Sequence, residues 1–156
     1  MKKPGSTCDY TKVRNAELAA TFNRRLAEAR TIDLLEICRL TSESAASRFF
    51  ISEERAYELV MARRRLGHWP IRLRHRIRMM EEISSRAEAL LASGMESTLR
   101  DAVYAAVNSP APEFYLTPRS CRTLVYATFR AAYLDATARR AAAVTASTPD
   151  TDLCHE

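Results

Sequence analysis

The sequence predicts an all-α protein made of two similar helical units. Glycine occurs only three times in 156 residues, and so few glycines leave few positions for tight β-hairpins. Alanine and leucine, both strong helix formers, are abundant. Apolar residues recur at helical spacing through most of the chain, which predicts the same fold class.

A stretch of eighteen residues occurs twice, 65 positions apart. The first copy is AASRFFISEERAYELVMA, ending at Ala62, and the second is PAPEFYLTPRSCRTLVYA, ending at Ala127. The same offset pairs Leu18 with Ile83, and most apolar positions outside the stretch also stay apolar. Because a helix buries its apolar side, the sequence predicts an internal repeat of one three-helix unit.

The repeat divides the chain into two units and two tails. We expect a flexible N-terminal tail, a first three-helix unit, a second three-helix unit packed on the first, and a disordered C-terminal tail, at residues 1–11, 12–67, 68–143 and 144–156. The last segment, VTASTPDTDLCHE, is polar and has little apolar surface to bury.

Three helices are predicted in the first unit. The first covers residues 13–30 and the second residues 31–40. The third begins after Ser52, which is a good N-cap followed by two acidic residues, and it ends by Gly67. The inward positions of the second helix are expected at Leu34, Ile37 and Cys38.

The second unit repeats these three helices. The fourth helix is expected to begin at Pro70, a good first-turn residue, and to end at Gly94. The fifth covers residues 96–107. The sixth begins at Thr117 and Pro118, an N-cap followed by a proline, and runs to about residue 143.

An aromatic pair precedes the N-cap of the third helix in each unit, as Phe49-Phe50 and as Phe114-Tyr115. An apolar residue in this position packs against the first turns of the helix that follows. We interpret both pairs as core residues that close the end of each unit, rather than as a ligand site.

Several functional classes lack their sequence signals. The cysteines, Cys8, Cys38, Cys121 and Cys154, form no C-x-x-C or zinc-type spacing, and we expect Cys38 and Cys121 in the core. No catalytic motif, metal site or cofactor motif is present, so a non-enzymatic protein is predicted. The chain has no apolar leader or membrane-length segment, which favours a cytoplasmic protein without a membrane partner.

The charge comes almost entirely from arginine. The net charge is +5, and the basic residues are 21 arginines and three lysines. Guanidinium groups suit phosphate geometry, and a basic balance is typical of proteins with an anionic partner. An arginine bias that follows genomic composition explains the same count, so both interpretations stay open.

The densest basic segment is RRRLGHWPIRLRHRIR, residues 63–78, which contains no acidic residue. Its IRLRHRIR part alternates like a strand, but the apolar spacing continues to Leu91 and favours a helix. Like charges at helical spacing repel, so this segment needs phosphate, an acidic protein surface or solvent. Trp69 beside it either stacks on a base or covers a core edge.

The second copy of the repeated stretch has some features of a helix-turn-helix. A small residue, Ala111, is followed by an aliphatic residue, the cap Thr117 and apolar positions along the next helix. Tyr115 replaces the usual turn glycine. The exposed side of the sixth helix would carry arginine and threonine, which suit phosphate and base edges, whereas the third helix would present Glu53, Glu54 and Glu58.

These observations predict an accessory protein that binds nucleic acid through an arginine-rich helix and a helix-turn-helix-like second unit. The candidate binding residues are Arg63, Arg64, Arg65, Arg72, Arg74, Arg76, Arg78, Arg119, Arg122, Thr123 and Arg130. The alternative is a helical protein–protein interaction or assembly module, either a homo-oligomer or one that binds an acidic protein. The sequence leaves open DNA or RNA, any target sequence and the oligomeric state.

The pattern A-x-x-F-[FY]-[IL]-[ST] in both halves, with VNSPAPEFYLTPRS in the second, resembles uncharacterised small two-unit all-helical proteins of gut-bacterial genomes and mobile elements. The resemblance covers residues 15–130. That family has no established activity, cofactor or catalytic residue, so the resemblance implies only a phage or mobile-element setting.

Overall fold

The computed structural model describes residues 8–147, with side chains from Tyr10 onward, and this part of the chain is all-α with no strand. Its helices are α1 Cys8–Glu28, α2 Leu34–Ser42, α3 Glu53–Leu66, α4 Arg74–Ala92, α5 Leu99–Val107 and α6 Pro118–Ala146. The predicted all-α class is confirmed for the described residues.

The predicted helix caps are present where local chemistry sets them. The side chain of Ser52 accepts a hydrogen bond from the backbone N–H of Arg55 at 3.2 Å, and Thr117 accepts one from the N–H of Ser120 at 3.1 Å. Gly67 ends α3 with φ of +80°, a left-handed conformation that glycine adopts without strain. Both α3 and α6 therefore begin at the predicted residues.

Other boundaries differ from the prediction. Helix α2 begins three residues late, because Asp33 caps it by accepting from the N–H groups of Leu35 and Glu36. Leu34, predicted to face inward, is instead 38% exposed. Helix α5 begins at Leu99 because Thr98 caps it, with a hydrogen bond of 3.2 Å from the N–H of Asp101.

The start of α4 was also predicted wrongly. The helix begins at Arg74 rather than at Pro70, and residue Leu73 before it is extended. No capping side chain precedes Pro70, while Trp69 and Ile71 pack against the core. The connection is therefore held extended by tertiary packing, and IRLRHRIR is divided between a loop and a helix.

The tails were predicted too long. Residues 8–11 belong to α1 and residues 144–146 belong to α6, so these parts are helical rather than loose. Residues 1–7 and 148–156, which include His155 and Cys154, lie outside the described part of the chain.

Helix packing crosses the middle of the chain. Helix α1 packs on α2, and α4 packs on α5. Helix α3 packs on α4 and α5, which follow it, whereas α6 packs back on α1 and α2. The predicted unit boundary after residue 67 falls in the connection between α3 and α4, and it stays a prediction.

Two connections meet at the centre of the molecule. Ala46 and Ala111 exchange backbone hydrogen bonds of 3.0 and 2.9 Å in an isolated antiparallel bridge. Beside it, the N–H of Phe49 donates to the carbonyl of Val107 at 3.1 Å. The N–H of Phe114 donates to the carbonyl of Ser42 at 3.0 Å.

The aromatic pairs fill the space around this bridge. Phe49 stacks on Tyr115 with 5.8 Å between ring centroids, and Phe50 stacks on Phe114 at 5.9 Å. Phe49, Phe114 and Tyr115 are buried, and Phe50 is partly buried. The prediction that these residues belong to the core is confirmed for Phe49, Phe114 and Tyr115, whereas Phe50 packs against the core and stays partly exposed. Tyr115 has φ of +55°, an uncommon conformation for a bulky residue.

The predicted core cysteines are buried on facing helices. Cys38 in α2 and Cys121 in α6 are free thiols, with 1% and 0% exposure. Burial, followed by the effects of Cys38, raises the pKa of the Cys121 thiol to about 12. Both side chains therefore act as small apolar residues at neutral pH.

The end of α6 extends beyond the rest of the protein. Phe129 is its last partly buried residue and contacts Phe22 with 6.0 Å between ring centroids. All residues from 130 to 146 are exposed. This segment, which we call the α6 arm, exposes Tyr133, Leu134 and Val144 by 71, 59 and 72%.

Candidate nucleic-acid interface

The arginine-rich segment 63–78 forms three structural parts. Arg63, Arg64 and Arg65 lie in the last turn of α3, where cations stabilise the carbonyl end of the helix dipole. Arg72 lies in the extended connection, and α4 carries the remaining arginines. The segment is a helix end, a loop and a helix start, rather than one arginine-rich helix.

The three arginines at the end of α3 have mixed surroundings. The guanidinium of Arg63 lies over Trp69 at 5.9 Å from the ring centroid. Arg63 and Arg64 also line a cleft that contains Glu81 and Glu88. Trp69 thus contacts an arginine and the core edge, and acidic side chains reduce the positive potential on this side of the protein.

Arg78 is committed to an intramolecular contact. Its Nη1 lies 2.6 Å from Oε1 of Glu113, and its guanidinium lies 5.7 Å from the ring centroid of Tyr115. Glu113 is the better buried partner, with 15% side-chain exposure. The ion pair joins α4 to the connection before α6, so Arg78 has a structural role in addition to the predicted one.

Arg72, Arg74 and Arg76 are exposed and form no ion pair with any described residue. Helix α4 has no side-chain cap, and its first turn contains no acidic residue. Basic residues near a helix N-terminus interact unfavourably with the dipole. This part of the surface therefore has positive charge that the described side chains do not neutralise.

The predicted residues of α6 are exposed as expected. Arg119, Arg122, Thr123 and Arg130 all face solvent. The guanidinium of Arg122 lies over Tyr126 at 5.4 Å, and the hydroxyl of Thr123 donates to the carbonyl of Arg119 at 3.1 Å. The arginines on this face of α6 form no ion pair within the described chain.

The helix-turn-helix geometry is not present. Ten residues, 108–117, connect α5 to α6, and none of them is helical. Ala111, the small residue that begins the helix-turn-helix pattern, is paired with Ala46 in the central bridge. The prolines at 110 and 112 are incompatible with a helix interior, so α6 has no helix before it at the spacing that this motif requires.

Helix packing does not join the two groups of candidate residues. Helix α6 contacts α1 and α2, whereas segment 63–78 belongs to α3 and α4. The predicted acidic side of α3 is partly satisfied internally, since Glu58 lies 3.3 Å from Arg55 and Glu53 accepts from Asn108 at 2.7 Å. The structure thus has two separate basic surfaces.

Sequence reasoning missed three residues that the fold brings to Arg76. Arg14 of α1, Arg55 of α3 and His75 of α4 line one cavity with it. Arg14 lies four residues before Leu18 and therefore on the same side of α1 as the buried apolar residues. A charged residue at a core-facing spacing was the signal available in the sequence.

Burial lowers the pKa of two residues that line this cavity, Arg14 and His75. Desolvation lowers the pKa of Arg14, and the positive charge of Arg76 lowers it further, while Tyr10 acts in the opposite direction. Burial also lowers the pKa of His75, followed by the charges of Arg76 and Arg78. His75 is therefore neutral at pH 7.

No group of acidic, histidine and cysteine side chains able to hold a metal ion occurs among the described residues. None of the helices that the structure describes combines the length and apolar character needed to cross a membrane. No family model, curated protein or solved structure matches this chain. The functional argument therefore depends on the geometry and charge of the site.

Proposed function

We propose that the chain is a cytoplasmic, non-enzymatic accessory protein that binds nucleic acid through its two basic surfaces. The observation that carries this proposal is that most arginines of these two surfaces have no ion-pair partner among the described residues. Among the predicted arginines, only Arg78 forms an ion pair with another described residue. Unpaired guanidinium groups on a protein with a net charge of +5 suit a polyanionic partner.

We also propose that the fold is a tandem duplication in which the third helices are exchanged. The reciprocal contacts support this proposal. The N–H of Phe49 donates to Val107, and the N–H of Phe114 donates to Ser42. Phe114 lies 65 positions after Phe49, and Ser42 lies 65 positions before Val107, so the two hydrogen bonds correspond. The α3 contacts with α4 and α5 correspond in the same way to the α6 contacts with α1 and α2.

The first experiment measures binding to a DNA duplex over a series of salt concentrations. Each phosphate contact releases condensed counterions, and the slope of log affinity against log salt is about −0.9 per contact. Fluorescence anisotropy should therefore show affinity that falls steeply as salt increases. Affinity that is absent at low salt, or indifferent to salt, contradicts the proposal.

A matched pair of variants assigns the effect to the surface. Replacing Arg72, Arg74 and Arg76 with alanine should flatten the salt slope. The control replaces Arg24, Arg30 and Arg140, which are exposed, lie outside the predicted surfaces and remove the same net charge. Equal effects of the two triple variants mean that only net charge acts.

A second pair of substitutions tests the face of α6. Replacing Arg119 and Arg122 with alanine should reduce any preference for one duplex sequence over another, since base edges are read by side chains that reach the groove. The affinity for a mixed-sequence duplex should fall less. An unchanged ratio between the two duplexes removes α6 from the reading role.

The α6 arm supports a second candidate, a helical assembly module. Its exposed Tyr133 and Leu134 are large apolar side chains on the part of α6 beyond Phe129, where every described residue is exposed. Sedimentation at low and high salt tests this function, because charge-driven assembly weakens with salt and apolar assembly does not. A monomer in both conditions excludes self-assembly.

We retain the mobile-element setting as part of the proposal, and the neighbouring genes test it.

A further inference from the structure

A cavity of about 310 Å³ lies where the N-terminal parts of α1 and α4 meet the start of α3. Its lining combines cationic and aromatic side chains, including Tyr10, Arg14, Phe50, Arg55, His75 and Arg76. None of the described residues that line it is acidic. The volume is at the lower end of the range for small-molecule sites, which suits one nucleotide rather than a length of strand.

The arginines of the cavity have spare donor capacity. The guanidinium of Arg14 is half-buried and donates from Nε to the side chain of its neighbour Asn15 at 3.2 Å. Its two terminal nitrogens have no hydrogen-bond or ion-pair partner among the described residues. Arg76 likewise has no ion pair within the described chain, and the charge of Arg55 is shared with the exposed Glu58 at 3.3 Å.

The half-buried guanidinium of Arg14 lies near the like charge of the exposed Arg76. Desolvation and the nearby like charge both disfavour the charged form of Arg14. A bound anion reverses both effects, because a guanidinium fork donates two parallel hydrogen bonds to phosphate. The described lining supplies no carboxylate, so an anionic ligand would compensate these charges better than solvent alone.

One wall of the cavity offers a surface for an aromatic ligand. Phe50 is partly exposed and stacks on the buried Phe114, which also lines the cavity, at an interplanar angle of 9°. Tyr10 also lines the cavity. Bases stack on aromatic side chains of this kind without sequence preference. Phosphate donors and a stacking surface thus lie in one cavity of nucleotide size.

We propose that this cavity binds a 5′-phosphorylated nucleotide, with the phosphate on Arg14 and Arg76 and the base against Phe50. The site recognises the phosphate group, which belongs either to a free nucleotide or to the end of a nucleic-acid strand. The proposal holds independently of duplex binding by the exposed basic surfaces. In the strand-end case it adds an end-recognition site to the proposed function.

Calorimetric titration of the full chain at low ionic strength tests the site with adenosine 5′-monophosphate. Adenosine should bind at least about tenfold more weakly than the monophosphate, because it lacks the phosphate to which the arginines donate hydrogen bonds. Two single-stranded oligonucleotides, one with a 5′-phosphate and one with a 5′-hydroxyl, distinguish the sources. A preference for the phosphorylated strand assigns the site to a strand end, and monophosphate binding without that preference assigns it to a free nucleotide.

Substitution assigns the binding to the cavity. Arg14→Met should lower the affinity for the monophosphate at least about tenfold. This variant places an apolar side chain where a half-buried charge stood, so the fold should tolerate it. Arg24→Met on the exposed side of the same helix is the matched control and should stay within about twofold. Phe50→Leu should weaken the monophosphate more than inorganic phosphate, which has no base to stack.

The proposal is overturned if adenosine binds as well as its monophosphate, or if Arg14→Met and Arg24→Met have equal effects. It is also overturned if the wild-type protein binds neither the monophosphate nor the phosphorylated strand. If the wild-type protein binds the monophosphate but no duplex, only the proposed function is refuted. If it binds the duplex but neither the monophosphate nor the phosphorylated strand, only the cavity proposal is refuted.

Discussion

Helices α3 and α6 begin in the same way and then differ. Each follows an aromatic pair and has a hydroxyl N-cap, Ser52 or Thr117, that accepts a hydrogen bond from three residues ahead. Helix α3 has 14 residues, with acids in its first turn, whereas α6 has 29 residues and no acid there. The buried and capping positions agree, and the solvent-facing positions do not.

This comparison separates the residues that build the fold from those available for binding. Ala56 and Cys121 occupy equivalent positions, 65 residues apart, and both are completely buried. Glu54 and Arg119 are also equivalent, and both are exposed with opposite charge. Folding restricts the inner positions of both helices, while their outer positions are free to serve different partners.

The largest expected effect tests whether the two aromatic pairs are equivalent. Phe49→Ala and Phe114→Ala should each lower the free energy of unfolding by about 3–5 kcal/mol, because both rings are buried. The loss should be greater for Phe49, whose ring also lies 5.0 Å below the guanidinium of Arg86.

Denaturant titration measures both changes, with Tyr133→Ala on the exposed arm as the control. The control should change stability by less than about 0.5 kcal/mol. A loss below about 1 kcal/mol for either phenylalanine would mean that its ring is not part of the core.

Phe50 and Tyr115 occupy positions 65 apart and differ by one hydroxyl group. Burial, with nearby Glu113 and Glu82, raises the pKa of Tyr115 to about 12. The unfolded chain loses this proton near pH 10, whereas the folded protein retains it. Stability should therefore fall as pH rises from about 10 to 12, and Tyr115→Phe should reduce that fall. Denaturation at several alkaline pH values measures it, and Tyr133→Phe should leave the slope unchanged.

The two N-caps should contribute equally, although their helices differ in length. Ser52→Ala and Thr117→Ala should each lower stability by about 1 kcal/mol, because each leaves a backbone N–H without its acceptor. Ser52→Asp should retain most of the stability, since aspartate also caps helices. A loss from alanine at only one site would show that the helix starts are not equivalent.

The smallest effect on global stability is expected in the α6 arm. Alanine-to-glycine substitution costs a helix about 1 kcal/mol. Ala62→Gly in α3 should lower global stability by about this amount, whereas Ala138→Gly should change it by less than about 0.3 kcal/mol because the arm buries no surface. Hydrogen exchange should be fast in residues 134–146 in the wild type and faster in Ala138→Gly. Strong protection there would indicate a covering partner.

Local chemistry explains which parts of the fold could be predicted. Ser52, Thr117 and Gly67 each act on their own backbone within a few residues, so their roles are visible in sequence. The start of α4 was predicted wrongly because Pro70 fits a helix start, while Ile71 packs against distant core residues and Leu73, just before the helix, is extended. Periodicity shows that a helix has an apolar side but does not show which helix covers it.

The same limit applies to the candidate site. The unpaired arginines at 72, 74 and 76 could be found from sequence because no acid is nearby along the chain. The pairing of Arg78 with Glu113, 35 positions away, depends on tertiary structure. Arg14 and Arg76 line one cavity because the N-terminal parts of α1 and α4 meet there, which no local pattern indicates.

The cavity has one further consequence, for ligand orientation. In a dimer of two identical chains, a cavity on the symmetry axis has two identical walls, and an asymmetric ligand can enter it in either of two equivalent directions. Here, two pairs of residues that lie 65 positions apart line the same cavity. One pair is Tyr10 and His75, and the other is Arg14 and Met79. One wall therefore carries a guanidinium where the other carries a thioether, so a bound molecule has a single preferred direction and a stoichiometry of one per chain.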